Sequence, residues 1–170
     1  MEHEFFMEMA LQQAETAFEN GEFPVGCVIV QAGKVIAAGA RQGTCIDNDF
    51  FNEIDHAEIR ALKSLETCAR EFKPGKAVLY CTMEPCLMCF GAIILSGIKK
   101  IIFAYEDPMG GGTCCDLAAM TPLYRDAKIE VISGVLREKS LDLFYNFFNK
   151  ETNLYWKHSF LEAYTLEQKE

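Results

Sequence analysis

Apolar positions recur along the chain with two periods. Phe5, Phe6, Met9, Leu11, Ala14 and Phe18 fall at roughly helical spacing, and "NGEFP" ends that pattern with glycine and proline, so a first helix is predicted over Phe5 to Phe18. "VGCVIV" and "KVIAAGA" are β-rich runs joined by "QAG", which reads as a hairpin turning on glycine. After the polar stretch "RQGTCIDNDFFNEID", residues 57 to 69 read as a helix that "KPGK" ends. Then come a strand in "AVLYCT", a helix over 86 to 96, a strand in "KKIIFAY", a loop in "DPMGGG" and a short helix over 114 to 120. "KIEVI" is expected to be a last, buried strand. "REKSLDLFYNFF" is helical with Leu141, Phe144, Tyr145 and Phe148 on one stripe, and a final helix is expected from about Asn153 to Leu166.

The order is α-β-β-α-β-α-β-α-β-α-α, and helices between the later strands favour parallel crossovers. This predicts an α/β fold, a three-layer α/β/α sandwich around a central mixed five-stranded sheet. No linker, repeat or low-complexity segment divides the 170 residues, and half of them are apolar, enough for one core. A single domain over 1–170 is expected, with a core at about 5–150 and a helical extension at 151–170.

Charge narrows the partners. Sixteen Lys and Arg against 25 Asp and Glu give a formal charge of -9, the wrong sign for a general nucleic-acid or anionic-membrane binder. The N-terminus "MEHEFFMEMALQQAE" has no positive n-region or long apolar core, and no apolar run reaches about 18 residues, so a cytoplasmic protein without a membrane span is expected. Eight cysteines in a core-rich chain of this size are expected as thiols or metal ligands rather than disulfide staples.

Two stretches carry candidate chemistry. In "TMEPCLMCFG", Cys86 and Cys89 are i and i+3 in a helix's first turn behind Pro85, where exposed amide dipoles favour thiolates. Alone, such a pair is a redox couple, half a zinc site or packing in about equal measure. In "IDHAEIRAL", His56 and Glu58 stand two apart at the start of another helix, and a lone histidine is more often a core residue than a ligand. Taken together, both segments begin helices at the same edge of the sheet, where open α/β sheets hold ligands. Three ligands of type His-Cys-Cys leave one tetrahedral position of a zinc ion open, as catalytic zinc requires. Glu58 then has a role: taking a proton from an attacking water and delivering it to a ring nitrogen and to departing ammonia.

"HAE" followed by "PCLMC" resembles the His-x-Glu and Pro-Cys-x-x-Cys signature of the zinc nucleobase and nucleoside deaminases, the cytidine/deoxycytidylate deaminase superfamily. Within it, "GEFPVGCVIV", "HAEIRAL", "TMEPCLMCFGAI", "IIFAYED" and "LFYNFF" look most like the tRNA adenosine deaminase and guanine deaminase branch, over roughly residues 5 to 150. The resemblance implies His56, Cys86 and Cys89 as ligands of one Zn2+ per chain and Glu58 as proton shuttle. It implies Pro24, Val25, Ala57 and Glu84 around the base, and Asp107 and Phe148 near the substrate's neighbours. It also implies a homodimer, through the apolar "FGAIILSGI". Three features depart from the branch. Arg41 stands where the tRNA enzymes carry an asparagine, either to pair with a substrate oxyanion or phosphate or, more commonly for such a residue, as a solvated loop arginine. The basic tail is replaced by an acidic, aromatic one, whose Tyr155, Trp156, Phe160 and Tyr164 are read as core packing ahead of a lid or subunit contact. The 45–55 loop offers Phe50 and Phe51 as candidates to cap the pocket, and Cys114 and Cys115 read as buried helix cysteines ahead of a second metal site.

The expected function is zinc-dependent hydrolytic deamination of an amino-substituted nucleobase or nucleoside, of purine type, with release of ammonia. A small molecule is preferred over tRNA on the charge of -9, the acidic tail and Arg41. The alternatives are a tRNA-specific adenosine deaminase forming inosine in an anticodon loop and a noncatalytic zinc-stabilised binding module.

Overall fold

The computed structural model describes residues 2–45, 51–68 and 71–169. Five strands form one sheet in the order β2-β1-β3-β4-β5: β1 Gly26–Gln31, β2 Lys34–Ala40, β3 Ala77–Met83, β4 Lys100–Tyr105 and β5 Glu130–Ile132. β1 runs antiparallel to both β2 and β3, whereas β3, β4 and β5 are parallel, so the sheet is mixed as the element order implies. Side chains alternate across it. Val28, Tyr80 and Ile102 align on one face, packed with Phe6, Met7, Ala10 and Leu11 of helix α1 (Glu2–Glu19). Ile29, Leu79 and Ile101 align on the other, packed with Ala57 and Ala61 of α2 (Ala57–Ser64) and Phe90 and Ile93 of α3 (Leu87–Ser96). Both faces are covered, which is why the central strands are apolar almost throughout.

Two glycines set how closely the helices approach. A Cβ on Gly26 would lie 2.1 Å from the Ala10 carbonyl oxygen of α1, and one on Gly39 would lie 2.2 Å from that of Ala57. α2 therefore rests backbone to backbone on β2. At the far end of α3, Gly97 takes φ 80° and closes the helix with its amide on the Ile94 carbonyl.

Several expected elements differ. β5 is only three residues long, and Glu130 and Val131 are exposed, because it forms an edge of the sheet rather than its middle. α5 (Arg137–Phe148) buries Leu141, Phe144 and Phe148, but Phe147 rather than Tyr145 completes the stripe. The helix expected over 57 to 69 continues past α2 as a 3-10 turn over Leu65–Cys68, and residue 69 lies outside the described residues. Between 114 and 125 there are only a 3-10 turn at Leu117–Ala119 and one α-turn, α4 (Pro122–Arg125).

The last helix, α6, spans Phe160–Glu167 and does not begin near Asn153. Trp156 and His158 take φ 54° and 62°, left-handed values that a helix cannot accommodate. Ser159 then caps α6 by accepting from the Glu162 amide, and Glu162 returns a carboxylate oxygen to the His158 amide. α6 is held against the end of β4 by Glu106, which accepts from Arg137 of α5 and from the Tyr164 hydroxyl, and by a hydrogen bond between the Tyr105 and Thr165 hydroxyls. Among the described residues no helix is long and apolar enough to cross a membrane.

Candidate active site

The site lies where β3 and β4 end, with Val25 before β1 and Arg41 after β2 at the same sheet edge. His56 and Cys86 are the N-caps of α2 and α3, both extended, with φ/ψ of -66°/153° and -66°/169°. Because an extended cap residue lies outside the helical repeat, His56 and Glu58 can face one space although they stand two apart. The His56 side chain makes no capping bond to α2. His56 Nδ1 lies 3.5 Å from the sulfurs of both Cys86 and Cys89.

The ligand atoms of these three residues lie within 4.8 Å of one another and, among the described residues, make up one such cluster without a fourth member. One imidazole nitrogen and two sulfurs suit zinc, and three ligands leave a coordination position for water or substrate, unlike a closed structural site. The three side chains are electrostatically coupled. The hydrogen bond from the Cys89 thiol holds Cys86 at about 4, against the effect of burial, while Cys89 is pushed up as the donor in that bond. Burial lowers His56, but its bond to Cys86 and the charge of Glu58 outweigh this and leave it raised.

Glu58 is 3% exposed, and its Oε2 has no hydrogen-bond partner. Burial raises its carboxyl above the usual range, opposed by His56. A buried carboxylate oxygen without a partner is costly and calls for a functional explanation, and Glu58 stands on the wall of a cavity next to the ligand cluster.

That cavity has a volume of about 260 Å³, and Val25, Arg41, His56, Glu58, Glu84, Cys86 and Asp107 all reach its wall. Glu84 is fixed by the 107–113 loop, accepting from the amides of Asp107 and Thr113 and from the Thr113 hydroxyl at 2.5 Å. Asp107 accepts from the amides of Met109 and Gly110, and its carboxyl is raised, chiefly by burial. Gly112 lets this loop lie on α3, since a Cβ there would meet the Leu87 amide nitrogen at 2.5 Å. Three expected contacts are one layer back. Pro24 and Ala57 are buried beside the wall, and Phe148 packs on Phe23, ring centroids 6.2 Å apart.

Arg41 is not a solvated loop residue. It is 2% exposed and donates to the Gln42 carbonyl, to Glu53 and to the Tyr155 hydroxyl. The aromatic tail also divides differently from the core-packing reading. Tyr155 is buried, Phe160 is largely exposed, Tyr164 is half-buried, and Tyr155, Trp156 and Leu161 line the cavity. Phe51 packs edge-on against Tyr155, while Phe50 lies outside the described residues. Cys114 is exposed and Cys115 half-buried, against the expectation of burial in a helix, and neither joins a metal cluster among the described residues. Sequence reasoning also missed Phe23, Glu53, Met83, Met109 and Gly110. Their only local signal was proximity to the motifs.

Comparison with known proteins sets this geometry among relatives. The model of the cytidine and deoxycytidylate deaminase zinc-binding region matches residues 1–105. A tRNA-specific adenosine deaminase of Bacillus subtilis is 34% identical over 149 residues, covering 86% of this chain and 89% of its own. A solved structure from work on A-to-I editing by tRNA:A34 deaminases at the wobble position superposes with a TM-score of 0.64 at 32% identity, over 82% of this chain and 98% of that one. A guanine deaminase from Nitrosomonas europaea shares the fold with a TM-score of 0.64 at 22% identity, over 83% of this chain and 81% of the other.

Proposed function

Because the chain belongs to the cytidine and deoxycytidylate deaminase zinc-binding family, whose members are hydrolases of C–N bonds, we propose that it deaminates an adenine-type purine, exchanging the exocyclic amino group for a carbonyl oxygen. The observation that carries deamination is Glu58, a buried carboxyl on the wall of a cavity beside His56, Cys86 and Cys89, with no hydrogen-bond partner at Oε2.

Bound at those three ligands, zinc supplies a Lewis acid that makes a water molecule acidic near neutral pH. Glu58 takes one proton from the attacking water and passes it to the ring nitrogen as the water oxygen bonds to the amino-bearing carbon, which becomes tetrahedral and keeps the second proton on its new hydroxyl. It then takes the hydroxyl proton and gives it to the amino group, so that the C–N bond breaks, ammonia leaves and the carbonyl forms. One carboxylate can serve both transfers because Glu58 lies on the cavity wall beside the ligand cluster and Oε2 has no hydrogen-bond partner. Glu84, both of whose oxygens are engaged by the 107–113 loop, holds that loop and Asp107 on the cavity wall.

The relatives support adenosine in transfer RNA as the carrier of the base, ahead of the small purine expected from charge. A small purine is the second reading, favoured by one observation: Tyr155 and Trp156, from the tail, occupy part of the cavity wall. The test measures inosine in an anticodon stem-loop and ammonia from free purines, pyrimidines and their nucleosides, at low and moderate salt. Turnover of the stem-loop alone supports the first reading, and turnover of small purines alone supports the second. Pyrimidine turnover alone refutes both. Glu58→Ala should retain zinc and lose turnover by ~10²–10⁴-fold.

A further inference from the structure

The cavity wall contributed by the tail is tied to the body by a three-way junction. Arg41 follows β2, Glu53 lies in the loop before α2, and Tyr155 lies more than 100 residues later. Glu53 Oε2 accepts from the Tyr155 hydroxyl at 2.8 Å and from Arg41 at 3.4 Å, and Arg41 reaches the Tyr155 oxygen at 3.4 Å. The Tyr155 ring packs on Phe23 and Phe51, at centroid distances of 5.3 and 5.4 Å. Its neighbour Trp156 stands edge-on to it at 5.6 Å, lines the cavity, and is 42% exposed.

We propose that Trp156 is the stacking face for the base and a specificity-determining residue, and that Arg41, Glu53 and Tyr155 are positioning residues that hold its indole at the cavity. The inference rests on the adenine reading above and applies whether the base arrives free or in RNA. Three observations converge on it. Trp156 takes φ 54°, a left-handed conformation that costs energy for a bulky residue and persists only where surroundings enforce it. The junction supplies that enforcement, since Tyr155 is anchored by its hydroxyl and by two rings. The indole nonetheless remains accessible beside a small cavity whose polar groups, Glu58, Glu84 and Asp107, can engage the edge of a flat ligand while an aromatic face takes its plane. With a net charge of -9, ring stacking is a source of affinity that does not depend on cationic side chains.

Trp156 is the one tryptophan in the chain, so intrinsic fluorescence reports on this residue alone. The zinc-loaded Glu58→Ala protein, unable to turn substrate over, is titrated with adenine, adenosine and an anticodon stem-loop, following emission and calorimetric heat together. Saturable quenching with the same midpoint as the heat is the expected result. In the active protein, Trp156→Ala should raise KM roughly 5- to 150-fold, with the loss falling on KM rather than kcat, and Trp156→Tyr should recover most of it. Tyr155→Phe, which keeps the ring but not the hydroxyl, should shift the free protein's emission to the red and raise KM. Calorimetric binding without any change in emission, or an unaltered KM in Trp156→Ala, would overturn the assignment while leaving the deaminase reading intact. Absence of binding by all three ligands would instead overturn the adenine reading and this inference with it.

Discussion

Replacing Gly39 by alanine should disable the site without touching any residue in it. Gly39 is buried on β2 opposite Cys27, and its φ is not left-handed, so alanine is allowed by the backbone and only space opposes it. The added Cβ would lie 2.2 Å from the Ala57 oxygen, 2.6 Å from the Ala61 nitrogen and 3.0 Å from the Arg60 Cβ. Ordinary contact begins near 3.4 Å, so α2 must retreat by about 1 Å, and the obstacle is backbone that cannot rotate aside. Ala57 sits between His56 and Glu58, so both move with it. Ligand distances tolerate only about 0.2 Å around their ideal values, and a misplacement of about 1 Å in a catalytic group can cost ~10²-fold. Overpacking of this kind destabilises by about 1–3 kcal/mol. The assay pairs ammonia release and zinc content with urea unfolding of the wild type, Gly39→Ala and Gly75→Ala. Gly75 is the control because a Cβ there meets nothing within 4 Å. Gly39→Ala with full zinc and wild-type turnover would refute the idea that the contact between β2 and α2 sets the metal-site geometry.

Purified protein should hold one zinc per chain, and Cys86→Ala/Cys89→Ala should abolish it, as measured by metal analysis; full occupancy in the double variant would exclude these ligands. Glu106 is lowered to about 2, first by its hydrogen bond to Arg137, from an ordinary value of 4.5. Its stabilisation is thus present above pH 4.5 and is lost as pH falls toward 2. With the side chain 35% exposed, the contribution is discounted for solvent to about 1 kcal/mol, so Glu106→Gln should destabilise at pH 7 and converge with wild type in acid unfolding curves. A homodimer is expected through α3, where Leu87 and Leu95 are 59% and 63% exposed. Light scattering should give two chains for the wild type and one for Leu95→Glu, and a wild-type monomer at micromolar concentration would contradict the expectation.

The elements read best from sequence were those whose burial follows a simple period. α1 alternates by turns and β1, β3 and β4 are apolar on both faces, so position in the layers is written into composition. β5 was misjudged because "KIEVI" has the composition of a strand but not the information that it forms an edge. His56, Glu58, Cys86 and Cys89 were legible because local spacing at two helix starts is itself the geometry of the site. Arg41 was seen, but its burial was not, since that depends on Glu53 and on a tyrosine over 100 residues away. Likewise, nothing local to "NLYWKHS" signals that Tyr155 is buried at the cavity wall while Trp156 beside it stays partly exposed; the left-handed conformation falls on Trp156, with no glycine to mark it.

The N-caps of α2 and α3 are 30 positions apart in the chain, and the metal cluster ties them together. An ion that binds only the assembled pair acts on the folding equilibrium by mass action. At a free concentration 100-fold above its dissociation constant it stabilises by ~2.7 kcal/mol, and at 1,000-fold by ~4.1 kcal/mol. Since the ligands must be deprotonated, protons compete with the metal, and acidification weakens this clasp. Resistance of this chain to heat is therefore a joint property of the polypeptide and the medium, so that melting temperatures measured with a chelator and with zinc describe two different equilibria.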